Sequence, residues 1–146
     1  MSTVDGMVVD QDVLLNACDK ESTEISMNAG DVLAHVSQSC VFIKVQDYFR
    51  KVMFEDILYL EASGSYCYIY LKNRRRYTVT HSLAETAVYL AKGPFIRVHR
   101  SFMVNVEHVD SYIGNAFYIG EHTVPIGRMY RKTILAGFNI LGVRDV

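Results

Sequence analysis

Ile57-Leu58-Tyr59-Leu60-Glu61-Ala62-Ser63-Gly64-Ser65-Tyr66-Cys67-Tyr68-Ile69-Tyr70-Leu71-Lys72 is the stretch that decides the fold. Two runs rich in apolar and aromatic residues, 57–62 and 66–72, flank Ser-Gly-Ser, so the segment reads as two strands joined by a turn. Neighbours on a strand face opposite ways, so at least one of Ile57 and Leu58 must point inward. The pattern continues toward the N-terminus. Val41, Ile43 and Val45 alternate with Phe42 and Lys44, the period of two of a half-buried strand. Gln46-Asp47 reads as a turn and 48–54 as the return strand. Glu55-Asp56 reads as a solvated turn between strands, because adjacent carboxylates there point in different directions.

Toward the C-terminus, Asn73-Arg74 makes the next tight turn and 76–80 continues the sheet. Ser82-Leu83-Ala84-Glu85 is a capping-box pattern, in which the hydroxyl and the carboxylate each satisfy a free backbone N–H. Leu83, Ala87, Leu90 and Ala91 then recur at helical spacing, and Gly93-Pro94 stops the helix. Further strands are expected over 95–99, 102–104, 108–113, 116–119 and 123–126. Gly114-Asn115 serves as a hairpin turn, and Pro125 restricts the last strand to an edge or an end. A closing helix is expected over 129–139. The first forty residues yield only a weak helix near 12–18. The fold class is therefore mainly antiparallel β, with nine or ten short strands, one clearly signalled helix and a C-terminal helix.

The chain has 146 residues, ten of them Tyr and seven Phe, enough for one domain and a short arm. Its formal charge of −1 is unevenly spread: residues 1–40 carry −6 and the remaining 106 carry +5. The expected organisation is an acidic arm or linker over 1–40 and a basic domain over 41–146, a charge pattern that suits a polyanionic partner. No run approaches the roughly 20 apolar residues of a membrane span. Asp5 and Asp10 do not suit a signal peptide. Three cysteines, Cys18, Cys40 and Cys67, form an odd, scattered set that fits free thiols in a reducing cytoplasm, with a regulatory thiol at Cys67 as the alternative.

Catalytic and cofactor signatures are not visible. There is no Gly-rich phosphate loop, no Gly-x-Ser-x-Gly elbow and no Cys-x-x-Cys pair. His35, His81, His99, His108 and His122 are dispersed without metal-ligand spacing. No catalytic residue, metal or cofactor is expected. What remains are turn-borne cations: Arg74-Arg75-Arg76 at a hairpin, Arg97, His99 and Arg100 around a strand end, and Arg128, Arg131 and Lys132 after the last strand. A guanidinium fork suits phosphate oxygens and the O6/N7 edge of guanine alike.

The order of residues resembles the LytTR family. Its members carry a hydrophobic run ending in Glu-Ala before a small loop and an aromatic, here 57–66. A Ser-Leu helix start follows, here Ser82-Leu83. The most specific block is Phe95-Ile96-Arg97-Val98-His99-Arg100-Ser101-Phe102-Met103-Val104-Asn105. The family closes with a proline, a hydrophobic residue, Ser-Arg and a basic helix. Here the sequence reads Pro125-Ile126-Gly127-Arg128, then Arg131-Lys132. Gly127 departs from the usual Ser, which would loosen the loop or remove one phosphate contact. The likeness spans roughly 41–141.

The resemblance implies an elongated fold of small antiparallel sheets that reads double-stranded DNA through loops rather than a recognition helix. Three segments would enter or border the grooves: Ser63 to Tyr66, His99 to Ser101, and Gly127-Arg128 with the following helix start. Arg100 and Arg128 would read bases. Ser65, Tyr66, Arg131 and Lys132 would meet phosphate or sugar, and Ser63 and Ser101 belong to the same loops. His99 is expected chiefly to fix its turn, Asn105 to support backbone at a strand end, and Glu61 to find an internal arginine or N–H. Arg100 pairing with Glu61 is the competing arrangement. Arg74 to Arg76 has no counterpart in the motif and reads as a solvated turn. The implied role is a bacterial transcription regulator, the output domain of a two-component response regulator, binding promoter repeats as a homodimer or in tandem. Forty residues are too few for the receiver domain of about 120 residues that usually precedes such a domain. The expectation is a stand-alone regulator or part of a longer one. A protein-interaction module on the same fold is the alternative.

Overall fold

The strand signals become ten strands in three antiparallel sheets in the computed structural model, which describes residues 28–142. The helix expected near 12–18 lies outside the described residues. The chain divides after Gln38 into two units, each taken by itself. In the first, α1 (Ala29–Val36) is a helix that the sequence reading left unassigned. Asn28 starts it, its Oδ1 accepting the Asp31 N–H at 2.7 Å. Asp31 in the first turn suits the helix dipole.

The second unit begins with the hairpin of β1 (Cys40–Val45) and β2 (Tyr48–Met53), whose turn places Gln46 at φ 58°. A 3-10 turn at Phe54–Asp56 leads into the central sheet. Its strands are β3 (Ile57–Ser63), β4 (Tyr66–Leu71), β5 (Arg76–Val79), β6 (Phe95–His99) and β7 (Phe102–Asn105), in the order β5-β4-β3-β7-β6. The third sheet sets β9 (Ala116–Ile119) between β8 (Ser111–Ile113) and β10 (His122–Pro125). Between β5 and β6 runs α2 (Leu83–Tyr89), with both halves of its capping box formed: Ser82 Oγ accepts the Glu85 N–H at 3.1 Å, and Glu85 Oε1 accepts the Ser82 N–H at 2.9 Å. The closing helix is α3 (Arg128–Gly137).

Two cores lie on opposite faces of the central sheet. Ile57, Leu60, Cys67, Ile69, Leu71 and Met103 pack with Ile43 and Val52 of the hairpin and with Leu83 and Leu90 at α2. Tyr59, Val98 and Val104 pack with Phe117, Ile119, Val124, Ile126 and Ile134 from the third sheet and α3. Strict alternation would put Ile57 and Tyr59 on one face. A register shift between them makes Leu58 an irregular step, so Ile57 joins Leu60 on the first face while Tyr59 turns to the second. The inward requirement on the 57–58 pair is met by Ile57, fully buried, with Leu58 packed partly against the other core.

Asn105 closes the frame. It is fully buried, donates Nδ2 to the carbonyls of Phe54 at 3.1 Å and Ile57 at 3.0 Å, and accepts the Glu107 N–H at 2.9 Å. This is the backbone support expected of it. It also explains why the strand read over 108–113 starts late: Val106–His108 curls into a 3-10 turn started by Asn105, and β8 begins only at Ser111.

Candidate nucleic-acid interface

Antiparallel pairing sends the β3–β4 turn and the β6–β7 turn to the same end of the central sheet. The first is a two-residue loop closed by the Ser63↔Tyr66 pair, with Gly64 at φ 63°. A left-handed first loop residue is the position that glycine fills in a II′ turn. Ser65 and Tyr66 are exposed, Tyr66 at 50%. Ser63, at the end of β3, is half-buried, and its hydroxyl donates to the Tyr68 hydroxyl at 3.3 Å.

The second turn carries Arg100. A register shift between Arg97 and His99 makes Val98 a bulge, and Arg100 and Ser101 cap the hairpin. Ser101 is held on both sides: its N–H donates to His99 Nδ1 at 3.0 Å and its carbonyl accepts the Ala62 N–H at 2.8 Å. The first bond assigns the proton of neutral His99 to Nε2. His99 thus fixes its turn as expected, its ring edge-on to Phe102 at 5.5 Å. The second bond ties this turn to the end of β3, next to the first loop.

The third segment docks on the same strand end. The Gly127 N–H donates to the Val98 carbonyl at 2.7 Å, and the Ile126 N–H donates to Asn115 O at 2.7 Å. A Cβ on Gly127 would lie 3.1 Å from the Tyr130 ring and 3.4 Å from His99 Cα, so glycine lets this loop sit close against β6. Gly127 is also the N-cap of α3 and offers no side-chain oxygen to the free N–H groups of the first turn. Arg128, Arg131 and Lys132 all lie in the N-terminal half of α3 and are exposed. The helix dipole disfavours cations there, by about 0.3–1 kcal/mol each at exposed positions, and favours an anion.

The electrostatics separate two kinds of arginine. Among the described residues no ion pair engages Arg100, Arg128, Arg131 or Lys132, whereas Arg74 pairs with Glu121 at 3.3 Å and Arg76 lies 4.1 Å over the Tyr68 ring. The competing Arg100–Glu61 pair is not formed. Nor does Glu61 hold an arginine or an N–H: its Oε1 accepts the Tyr70 hydroxyl at 2.9 Å. Tyr70 stacks on Tyr59 with centroids 4.4 Å apart, and the Tyr59 hydroxyl lies 3.4 Å from His122 Nδ1. Burial first, then the neighbouring Tyr70 and Glu61, push Tyr59 up to about 12, and burial with the Glu61 bond raises Tyr70. Both phenols stay protonated near neutral pH, and the half-buried Glu61 carboxylate is engaged by Tyr70.

These residues and loops match a known pattern. The LytTr DNA-binding domain family fits residues 47–138. The chain belongs to that family. Four solved chains also match. One, a LytTr DNA-binding domain from Bacillus cereus, is 32% identical, is covered over 98% of its length and 68% of this chain, and has a TM-score of 0.56. No curated protein sequence matches. The family domain is a DNA-binding one, not a catalytic one.

The remaining surfaces bear on other readings. Among the described residues no helix is long and apolar enough to cross a membrane, and no cluster of three or more His, Cys, Asp or Glu is placed to hold a metal ion. Cys40 and Cys67 are both buried, and Cys67 is in no disulfide. Burial pushes the Cys67 thiol up to about 11, which disfavours the thiolate that a regulatory cysteine needs. One residue that braces the site is not singled out by the sequence reading. Arg97 was noted only as one of several strand-end cations, yet its guanidinium donates Nε to His99 O at 3.1 Å and Nη2 to Arg100 O at 2.6 Å. Its place three residues before Arg100, where the turn begins, is the only local signal.

Proposed function

We propose that this LytTR domain binds double-stranded DNA sequence-specifically through its three loops and acts as a bacterial transcription regulator. The observation that carries the reading is the state of Arg100 and Arg128. Both are exposed and without an ion pair among the described residues, on turns whose backbones are bonded to the same strand end. In this reading Arg100 and Arg128 take guanine edges in the major groove. Ser65, Tyr66, Arg131 and Lys132 meet phosphate or sugar, with the start of α3 as an anion seat. His99, Ser63 and Ser101 shape the loops rather than contact bases.

The test is selection of bound duplexes from a random pool. A defined enriched site supports the reading, and direct repeats within it indicate two copies in tandem. Retention of the pool without enrichment, or no retention at all, removes it and puts the protein-interaction alternative first.

We take residues 41–146 as the DNA-binding domain and 1–40 as an acidic arm. Removing residues 1–38 should then leave a cooperatively melting domain with tighter binding to random duplex at low salt, because the lost charge is negative. The gain should fade as the screening length falls toward about 8 Å. Loss of the melting transition would show the boundary to be wrong.

A further inference from the structure

We propose that Arg97 is a positioning residue that aims Arg100, and so sets base preference without touching DNA. The proposal rests on the reading of Arg100 as a base contact. Its own ground is the geometry of the β6–β7 turn. The His99 carbonyl belongs to the peptide plane before the Arg100 Cα, and the Arg100 carbonyl to the plane after it. Arg97 donates to both, at 3.1 Å and 2.6 Å. With both planes held, φ and ψ of Arg100 are fixed, and with them the direction in which its Cβ leaves the backbone.

The second plane is held again from its other edge by the Ser101 N–H on His99 Nδ1. The next carbonyl, that of Ser101, is held by Ala62. Arg97 thereby completes a set of bonds that leaves the Arg100 backbone no free peptide to rotate. A planar, forked donor suits two successive carbonyls, and an ammonium point charge on a flexible stem does not reproduce it. Arg97 is half-buried, with Nε and Nη2 already committed inside the protein, which sets it apart from the exposed cations that would meet phosphate.

The experiment measures binding of the full chain to an enriched duplex, to the same duplex changed at the base pair that Arg100→Ala ceases to discriminate, and to random duplex, across a salt series. Lack of any enriched duplex for the parent would sink the functional reading before a variant is made. Given one, Arg97→Lys should cut discrimination at that base pair by about tenfold or more, while affinity for random duplex changes by less than about twofold. The salt slope should stay unchanged. The double variant Arg97→Lys with Arg100→Ala should discriminate no worse than Arg100→Ala alone, because the two side chains would act as one unit. Arg97→Gln provides a second variant, and whichever melts near the parent temperature decides. Parent-like discrimination in a well-folded variant overturns the proposal. A random-duplex salt slope reduced by about one unit does so too, since Arg97 would then be a phosphate contact. Strictly additive losses in the double variant would also overturn it.

Discussion

The densest run of arginine in this chain and its candidate base readers sit at opposite ends of the same sheet and are treated differently. At the β4–β5 turn, Arg74 pairs with Glu121, Arg76 lies over Tyr68, and Arg75 faces a cleft of about 400 Å3 with Arg50, Lys51, Lys72 and Asp56, the last two paired at 3.5 Å. At the other end, Arg100 and Arg128 are single arginines whose turns are cross-bonded and whose side chains have no ion pair among the described residues. On the proposed reading, local arginine density is a poor guide to a recognition site. A base reader needs a fixed backbone and an uncommitted fork, because a guanidinium already neutralised must give up its partner before it can bind another.

Both ends belong to one five-stranded sheet, and the largest effect comes from breaking that frame. Asn105→Ala leaves the carbonyls of Phe54 and Ile57 and the N–H of Glu107 without their present partner in a fully buried site. The expected loss is about 2–4 kcal/mol, read by denaturant unfolding. A loss below about 1 kcal/mol would show that the strand end holds without this side chain.

Next in size is the direct contrast between the ends. Arg100→Ala and Arg128→Ala should each cost about 1–3 kcal/mol on the enriched duplex and relax preference at separate base positions, with melting temperature unchanged. Arg75→Ala should leave preference intact. If instead Arg75→Ala relaxes preference while Arg100→Ala does not, the assignment of the two ends is reversed.

What the sequence shows and hides follows from distance along the chain. The strands at 57–62 and 66–72, the capping box at Ser82 and Glu85, and the turns at Gly64 and Gly114 are written in neighbouring residues. Period-two burial and φ preferences act locally. The three loops were legible because the block 95–105 and the Pro125–Arg128 segment carry a family pattern. The bond from Gly127 to Val98, the Glu61 bond to Tyr70 across strands, and the shift at Leu58 arise only when distant segments meet. Arg97 stayed hidden for a different reason. Its partners are two carbonyls, and every residue supplies one, so side-chain identity cannot announce the contact. Helix α1 spans only eight residues, about two turns, too short a stretch for a 3.6-residue period to stand out in the sequence.

A smaller effect sharpens the difference between positioning and reading. Lys132→Ala should weaken enriched and random duplexes alike and lower the salt slope by about one unit. Exposure of Lys132 in the N-terminal half of α3, where a cation is disfavoured without an anion nearby, motivates the prediction. A parent-like slope would take the start of α3 out of the interface.

The smallest expected effect tests the claim that the arginine-rich turn is internally engaged. Arg74→Ala removes the pair with Glu121, but both side chains are largely solvent-exposed, at 85% and 71%. An exposed pair contributes about 0.2–1 kcal/mol at most, so the melting temperature should fall by only a few degrees. Arg74 also adopts φ 68°, a conformation that disfavours any L side chain, so Arg74→Gly should recover or exceed the parent stability although it too deletes the charge. Glu121→Gln separates the two causes, since it removes the pair and keeps the backbone. In all three variants, discrimination between enriched and altered duplex should match the parent. Affinity for random duplex should drop only in proportion to one lost cation and only at low salt. Weaker discrimination in Arg74→Ala, absent from Glu121→Gln, would mean that this guanidinium leaves its carboxylate to read DNA, and the contrast between the two ends of the sheet would collapse.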